Sequence, residues 1–505
     1  MAVTLGPLDL VVVDSLETAL HTHFGWSRFR AGQRPVVEAV LSGRDALAVL
    51  PTGGGKSLCY QLPALIRGGL VVVISPLVAL MEDQVLQLRR RGIAAACLHA
   101  GLDPVRRQQA MAALRDESLR LLYLAPERLQ GEATQRLLET HAAEGRLVAL
   151  AVDEAHCISA WGHDFRPDYR RLGLIRRLCP GVPMLALSAT AAPRVRADIL
   201  RLLDLRSPLV QVSSARRENL RYAMQRRPRD PMPQVLEALE QSRGATLIYA
   251  RTRRSVEHWA ERLQGESVEA TPYHAGLDPA TRQTALTQFL EQERPVLVAT
   301  VAFGMGVDRG DVGLVLHLDL PSTPEGYLQE SGRAGRDGQP ARCLVLFSPG
   351  DRTSLGWAMQ AAAGQGTTAD ERHRLDLAQQ QLRRMEAVAE GEMCREQALL
   401  LAVGELVDPC GRCDRCSASP KRKDWSRQAT TLLTHLDDLD GTDMRRLGEH
   451  LALHETGQGE RWTWLARRLV QEELIRESND GVQRLQLRDS GRRYLERPWP
   501  LDFAA

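Results

Sequence analysis

The stretch Leu50-Pro51-Thr52-Gly53-Gly54-Gly55-Lys56-Ser57 sets a lysine behind three consecutive glycines, in a chain whose 65 Lys and Arg include only three lysines. The other two, Lys421 and Lys423, fall in one short basic run far downstream. A surface that needs only charge accepts either residue type. A compact ammonium wrapped by backbone against phosphate oxygens does not exchange with a planar guanidinium. The apolar run 46–50 before the loop and the helical pattern after it give a strand–loop–helix context. There the N–H groups of Gly53, Gly54, Gly55 and Lys56, with Thr52 beside them, cradle phosphate at a helix N-terminus. Lys56 then reaches the β/γ oxygens and the Ser57 hydroxyl ligates Mg²⁺. The match to GxxxxGK[ST] is imperfect, because Leu50 stands where the first glycine belongs.

A second constellation follows about a hundred residues on. The apolar run 147–152 delivers Asp153 and Glu154 together, at the strand end where α/β sheets bind ligands. Asp153 is placed to hold Mg²⁺ and Glu154 to take a proton from an attacking water. Ser188-Ala189-Thr190 ends another apolar run with hydroxyls. Arg333 and Arg336, three apart in Gln329-Glu330-Ser331-Gly332-Arg333-Ala334-Gly335-Arg336-Asp337-Gly338, project from neighbouring positions if that segment is helical. Such a pair suits an arginine finger acting across a cleft. Near the start, Trp26, Arg30 and Gln33 offer an aromatic face, a cation and an amide for an adenine base.

Four of the nine cysteines, Cys394, Cys410, Cys413 and Cys416, have the spacing C-x15-C-x2-C-x2-C. Four sulfurs without histidine point to Zn²⁺ in a closed structural site, with an iron–sulfur cluster as the alternative. Metal there would staple a small helical module that buries little apolar surface of its own.

These residues need a scaffold. The first 350 residues alternate short β-branched runs with helical patterns, which predicts parallel sheets covered by helices. One series of strands is 46–50, 70–75, 121–125, 147–153 and 184–188; a second is 245–250, 296–300, 312–318 and 341–347. The pattern predicts two similar α/β domains, spanning 1–212 and 213–350. A helical zinc-binding subdomain over 351–419 and a winged-helix domain over 420–505 follow, with 417–424 as a polar basic linker. The last segment reads as three helices and a hairpin turning at Asn479-Asp480-Gly481. Net charge is only +2, so any basic surface must be local. No apolar run is long enough to cross a bilayer, and the expectation is a cytoplasmic protein, nucleoid-associated in a bacterium.

In this order the motifs resemble the RecQ family of superfamily 2 DNA helicases: PTGGGKS at 51–57, DEAHCISAWGHDFRP at 153–167, SAT at 188–190, VATVAFGMGVD at 298–308 and QESGRAGRDG at 329–338. The resemblance runs from about Phe24 to Cys416, and the family tolerates the missing first glycine. It implies two tandem RecA-like domains and ATP-driven 3′-to-5′ translocation on single-stranded DNA. It also implies unwinding of duplex or branched DNA in repair and recombination. A second expectation keeps the ATPase but assigns remodelling or annealing with little processive unwinding. Within the family, 157–167 is the aromatic-rich loop that couples DNA binding to hydrolysis. Trp161 and Phe165 offer stacking faces there, and His163 and Arg166 offer charge. Ser75-Pro76-Leu77, Ala125-Pro126-Glu127-Arg128 and Thr300 match backbone-contacting motifs. The expected cofactors are ATP, Mg²⁺ and Zn²⁺. Expected partners are DNA and a single-stranded-DNA-binding protein, with the chain a monomer lacking the extra C-terminal nucleic-acid-binding domain of many relatives.

Overall fold

In the computed structural model the chain is described from residue 14 to 504, apart from 163, 302, 304–308, 364–367, 419–421, 440–441, 453–458 and 479–483. The first 212 residues build a seven-stranded sheet in the order Ala95–Leu98, Leu121–Leu124, Leu70–Ile74, Leu147–Val152, Met184–Ser188, Ala46–Val49, Leu209–Val212. Every pairing in it is parallel. Runs such as Leu70-Val71-Val72-Val73-Ile74 are apolar at every position because both faces are covered. Alternate side chains go to opposite faces. Leu47, Val49, Val72 and Ile74 join one apolar cluster, and Ala46, Ala48, Val71 and Val73 join the other.

The second sheet has six parallel strands, ordered Ala270–Tyr273, Val296–Ala299, Ala245–Tyr249, Val312–His317, Ala341–Phe347, Leu220–Arg226. Four strands of these two sheets escape the sequence reading: Ala95–Leu98, Leu209–Val212, Leu220–Arg226 and Ala270–Tyr273. All four are at sheet edges; three carry polar residues, and Ala95–Leu98, though apolar throughout, is short and half alanine, a weak strand former.

Beyond the second sheet come helices Pro349–Ala363, Ala369–Glu390 and Arg395–Ala402. The long one starts at a capping box in which Thr368 and Glu371 satisfy each other's backbone N–H groups. Leu382, Met385, Val388, Leu399 and Leu400 share one core with the second sheet, so these helices extend that domain.

The last part has its own core, which includes Trp425, Leu432, Leu447, Trp462, Leu465, Tyr494 and Phe503. Helices Ser426–Asp438, Met444–Ala452 and Gly459–Gln471 precede the pair Ile475–Glu477 and Arg484–Leu487. Thr442–Asp443 makes this an antiparallel three-stranded sheet. The predicted hairpin turn at 479–481 lies outside the described residues. Two expectations are corrected. A fourth helix, Asp489–Glu496, follows the hairpin. Residues 422–424 of the expected linker form a strand paired with Asp502–Ala504, because the chain end returns to cover Trp425 and needs a partner for its backbone groups. No helix among the described residues is long and apolar enough to cross a membrane.

Candidate active site and metal centre

The order of the first sheet assembles the site. Strands Leu147–Val152, Met184–Ser188 and Ala46–Val49 are neighbours, so the loops after their C-terminal ends meet. Leu50 N donates to Ser188 O at 3.0 Å, stitching the glycine loop to the Ser188-Ala189-Thr190 segment. Gly53 and Gly55 have φ of 78° and 71°, the left-handed region a side chain strains. Ser57 caps helix Leu58–Arg67, leaving the loop at that helix's N-terminus. The loop is held from outside. The Gln33 amide donates to Gly54 O at 3.1 Å and Gly55 O at 2.9 Å. Its Oε1 accepts from Arg30 N at 2.7 Å, while the Arg30 guanidinium donates to Gly53 O. Gln33 and Arg30, predicted to face a base, thus commit these groups to the shape of the loop. Trp26 is 44% exposed, stacked on Phe24 at 5.4 Å with the Arg91 guanidinium 6.0 Å from its ring.

Asp153 and Glu154 are buried. Burial, then repulsion from Glu154, pushes the Asp153 carboxyl up to about 7, against the pull of Lys56 and the Glu154 N–H. A cation beside it would reverse that balance. Glu154 takes φ 46°, ψ 46°, a left-handed conformation that costs a β-carbon residue energy. Its Oε2 lies 3.3 Å from His156 Nδ1, which is 3.1 Å from Ser188 Oγ. The Ser188 hydroxyl donates to Thr190 O at 2.7 Å, and Tyr169 OH donates to Asp153 O at 3.0 Å. Thr190 Oγ1 is buried without a hydrogen-bond partner among the described residues. His156, Tyr169 and Gln329, whose amide lies 3.5 Å from Glu154 Oε1, were given no role from sequence. His156 and Gln329 sit inside quoted motifs, so the signal was present; Tyr169 gave none.

The second sheet reaches this site. Helix Pro324–Ser331 ends before the two arginines, so the conditional helical spacing of Arg333 and Arg336 does not form. Residues 332–337 turn instead, with Gly335 at φ 54°. The turn buries Arg333 and carries Arg336 across to the first domain, where its side chain lies 3.4 Å from the space a β-carbon on Gly53 would take. A β-carbon on Gly332 would stand 3.1 Å from Thr52 Cβ, so the start of the turn also lies close to the glycine loop. The donor set fits a nucleoside triphosphate with its metal. It comprises a glycine loop at a helix N-terminus, one ammonium, two carboxylates, a buried hydroxyl without a hydrogen-bond partner among the described residues and an arginine from the facing domain.

The aromatic loop packs between the first sheet domain and helix Ala369–Glu390. Trp161 is half-buried, with the Arg194 guanidinium 3.2 Å from its ring centre and His373 edge-on at 5.9 Å. Phe165 has Arg170 at 5.0 Å and Arg374 at 5.6 Å. Arg166 pairs with Asp164 at 2.9 Å and donates to Pro76 O at 2.9 Å. The predicted His163 lies outside the described residues. Both rings thus carry cation–π contacts from arginines.

The sulfurs of Cys394, Cys410, Cys413 and Cys416 all lie within 4.8 Å of one another. Cys394–Cys413 and Cys410–Cys416 are 3.8 and 4.0 Å apart, and sulfurs about 2.3 Å from a tetrahedral Zn²⁺ stand about 3.8 Å apart. Backbone N–H groups of Cys410, Cys413 and Cys416 point at Cys394, Cys410 and Cys413 sulfurs at 3.2 to 3.4 Å, as thiolates require. Burial opposes ionisation of Cys394, but the amides of Cys410 and Gln397 outweigh it and lower its pKa.

Two parallel-sheet domains in contact through a phosphate loop and an arginine turn define a tandem RecA-like fold. Comparison with known proteins agrees. Residues 30–199 match the DEAD/DEAH box helicase family, 230–338 the helicase conserved C-terminal domain and 349–417 the RecQ zinc-binding domain. The chain is 38% identical over 450 residues to the ATP-dependent DNA helicase RecQ of Pasteurella multocida, covering 89% of this chain and 67% of that protein. It is 39% identical over 409 residues to the RecQ of Haemophilus influenzae, covering 81% and 64%. The chain thus spans about two thirds of the length of these relatives. Among solved structures, the helicase Lhr of Mycobacterium smegmatis bound to ssDNA and AMP-PNP aligns with a TM-score of 0.55 at 18% identity, covering 95% of this chain and 61% of that one, a likeness of fold. The chain belongs to the RecQ family of ATP-dependent DNA helicases.

Proposed function

We propose that this chain is an ATP-dependent helicase that translocates 3′ to 5′ along single-stranded DNA and unwinds duplex or branched DNA in repair and recombination. The observation that carries the reading is Arg336 of the second sheet domain lying against Gly53 of the first. A nucleotide on the glycine loop would then be held by both domains, and its loss would free them to move. When bound, Mg²⁺–ATP would supply the phosphoanhydride bond and a divalent charge to offset that of the phosphates. Thr52, the N–H groups of the loop and Lys56 hold phosphate oxygens. Ser57 and Asp153 hold the metal, and Glu154 accepts a proton from water while His156 and Gln329 orient it. Arg336, with Arg333 buried behind it, places positive charge where negative charge builds. Trp26 is left to stack on the base.

The domain limits proposed are 1–212 and 213–350 for the motor, 351–419 for the zinc subdomain and 420–505 for a winged-helix DNA-binding module. The three helices and three-stranded sheet with a separate core support the last. Trp161, Phe165 and Arg166, on the loop directly after Glu154, are placed to report a bound strand to the site. We further propose that Zn²⁺ fills the cysteine site, that the protein works as a cytoplasmic monomer, and that a single-stranded-DNA-binding protein is a partner. The test is strand displacement on duplexes with a 3′ or a 5′ tail, beside ATPase with and without single-stranded DNA. ATP-dependent displacement of the 3′-tailed substrate alone is expected. ATPase indifferent to DNA, or annealing without displacement, overturns the reading.

A further inference from the structure

The segment that joins the two sheets, residues 213–219, does more than connect them. The segment leaves from strand Leu209–Val212, and Ser213 N donates to Val49 O at 2.9 Å, which ties it to the neighbouring strand that carries the glycine loop. Six residues later Asn219 Nδ2 donates to Gly335 O at 2.8 Å and to Gln339 O at 2.8 Å. Arg217 Nη2 donates to the same Gly335 carbonyl at 2.5 Å and to Ala334 O at 3.3 Å. The two clamp residues hold each other through Arg217 Nε and Asn219 Oδ1 at 3.3 Å. Gly335 is adapted to this grip, since its φ is 54° and a β-carbon there would stand 2.4 Å from Asn219 Nδ2. The next residue is Arg336.

We infer that Arg217 and Asn219 are positioning residues for Arg336: by clamping the carbonyl of Gly335 they fix the turn that delivers its guanidinium to the glycine loop. The inference rests on the ATPase reading above. The N–H side of the turn is tied by Gly335 N to Val312 O at 2.9 Å and Asp337 N to Gly310 O at 3.2 Å; the clamp adds the bonds to the carbonyl directly before Arg336, which sets the orientation of that peptide. The clamp is itself braced from the cysteine module, because Arg412 donates to Arg217 O at 3.2 Å and to Leu220 O at 3.1 Å. Glu405 Oε2 accepts from Ala215 N at 2.9 Å. One segment thus joins the phosphate strand, the arginine turn and the metal module, so a change in domain orientation reaches Arg336 through its backbone support.

The test uses DNA-stimulated ATPase of the full chain with Asn219→Ala, Arg217→Ala and Arg217→Lys, each alone and combined with Arg336→Lys. Misplacing a catalytic group by about 1 Å costs about 10²-fold, so kcat is expected to fall about 10- to 100-fold in the alanine variants. KM for ATP, affinity for single-stranded DNA and zinc content should stay near wild type, and Arg217→Lys should recover part of the rate. In the Arg336→Lys background the same changes should cost little more, because the group they position is already altered. Wild-type kcat in Asn219→Ala, or a full multiplicative loss in the Arg336→Lys background, overturns the inference. Should Arg217→Ala not fold, Asn219→Ala decides alone, since it removes no charge. Full ATPase in Arg336→Lys and Arg336→Ala would instead sink the parent reading, and so separates the two failures.

Discussion

Replacing Gly55 by alanine perturbs the glycine loop at the point where its geometry is most specific. Two costs follow from the structure. Gly55 has φ 71°, and an L-residue in that conformation costs about 1–2 kcal/mol. The added β-carbon would stand 2.5 Å from Gln33 Nε2, so the amide must withdraw and lose its bonds to Gly54 O and Gly55 O at 3.1 and 2.9 Å. At a net worth of about 1 kcal/mol each, those bonds add about 2 kcal/mol. The bound loop shape is then disfavoured by about 3–4 kcal/mol, and at about 1.4 kcal/mol per tenfold the affinity for ATP should fall about 10²- to 10³-fold. Titration of a fluorescent ATP analogue reads this directly, with circular dichroism confirming the fold. Gln33→Ala alone should weaken binding by about 10- to 30-fold on the same scale. In the Gly55→Ala background it should add almost nothing, because its bonds are already gone. Nucleotide affinity unchanged in Gly55→Ala would refute the claim that this loop shape makes the phosphate site.

Three further outcomes are expected. Elemental analysis should find one Zn²⁺ per chain and none in Cys413→Ala, whose module should become protease-sensitive, since metal-site folding energy is of the order of 10 kcal/mol; a metal-free wild type that resists protease would count against the assignment. Trp161→Ala and Phe165→Ala should each cost about tenfold or more in affinity for single-stranded DNA, at about 1–3 kcal/mol per stacked base. The DNA-stimulated part of the ATPase should fall with it and the basal rate persist; equal loss of both rates would mean that the rings only pack. The third concerns pH. Glu386 is pushed up to about 7 by burial first, with Glu390 and Glu477 adding repulsion against the pull of Arg352 and Arg467. Arg352 bridges it at 3.2 Å to Glu477 of the C-terminal module. A carboxyl raised in the folded state contributes stability below its unfolded pKa of about 4.3 that is lost as pH rises through about 7. Thermal unfolding should therefore move down across that window, and Glu386→Gln should flatten the slope; an unaltered slope would refute this origin.

The elements that sequence located well are those with an unmistakable period. Strands Met184–Ser188 and Ala341–Phe347 fall where their apolar runs place them, because a strand buried on both faces reads as a near-continuous apolar run, interrupted here only by Arg342 and ended by Ser188. Edge strands such as Leu209–Val212 alternate half-buried and exposed residues and were not distinguished from loop. Strand Arg422–Asp424 is charged throughout and exists only because Asp502–Ala504 returns beside it. In the site, Lys56 and the Asp153–Glu154 pair were legible from residue type and local context. Tyr169, Arg217, Asn219 and Arg412 were not, since each acts by donating to a backbone carbonyl that many sequences could supply.

By itself the amino-acid sequence determined which groups are available: one lysine among glycines, paired carboxylates at a strand end, four cysteines in metal-ligand spacing and two arginines in a glycine-rich segment. Type and spacing carry that much because phosphate, Mg²⁺ and Zn²⁺ each demand particular donors. Only the tertiary structure decided which of those groups face one another. The turn at Gly335 bends Arg336 onto Gly53, Gln33 grips the glycine loop from a helix twenty residues upstream, and arginines cover the two rings of the aromatic loop. Those relations depend on sheet order and domain contact between residues far apart in the chain, which no local pattern encodes.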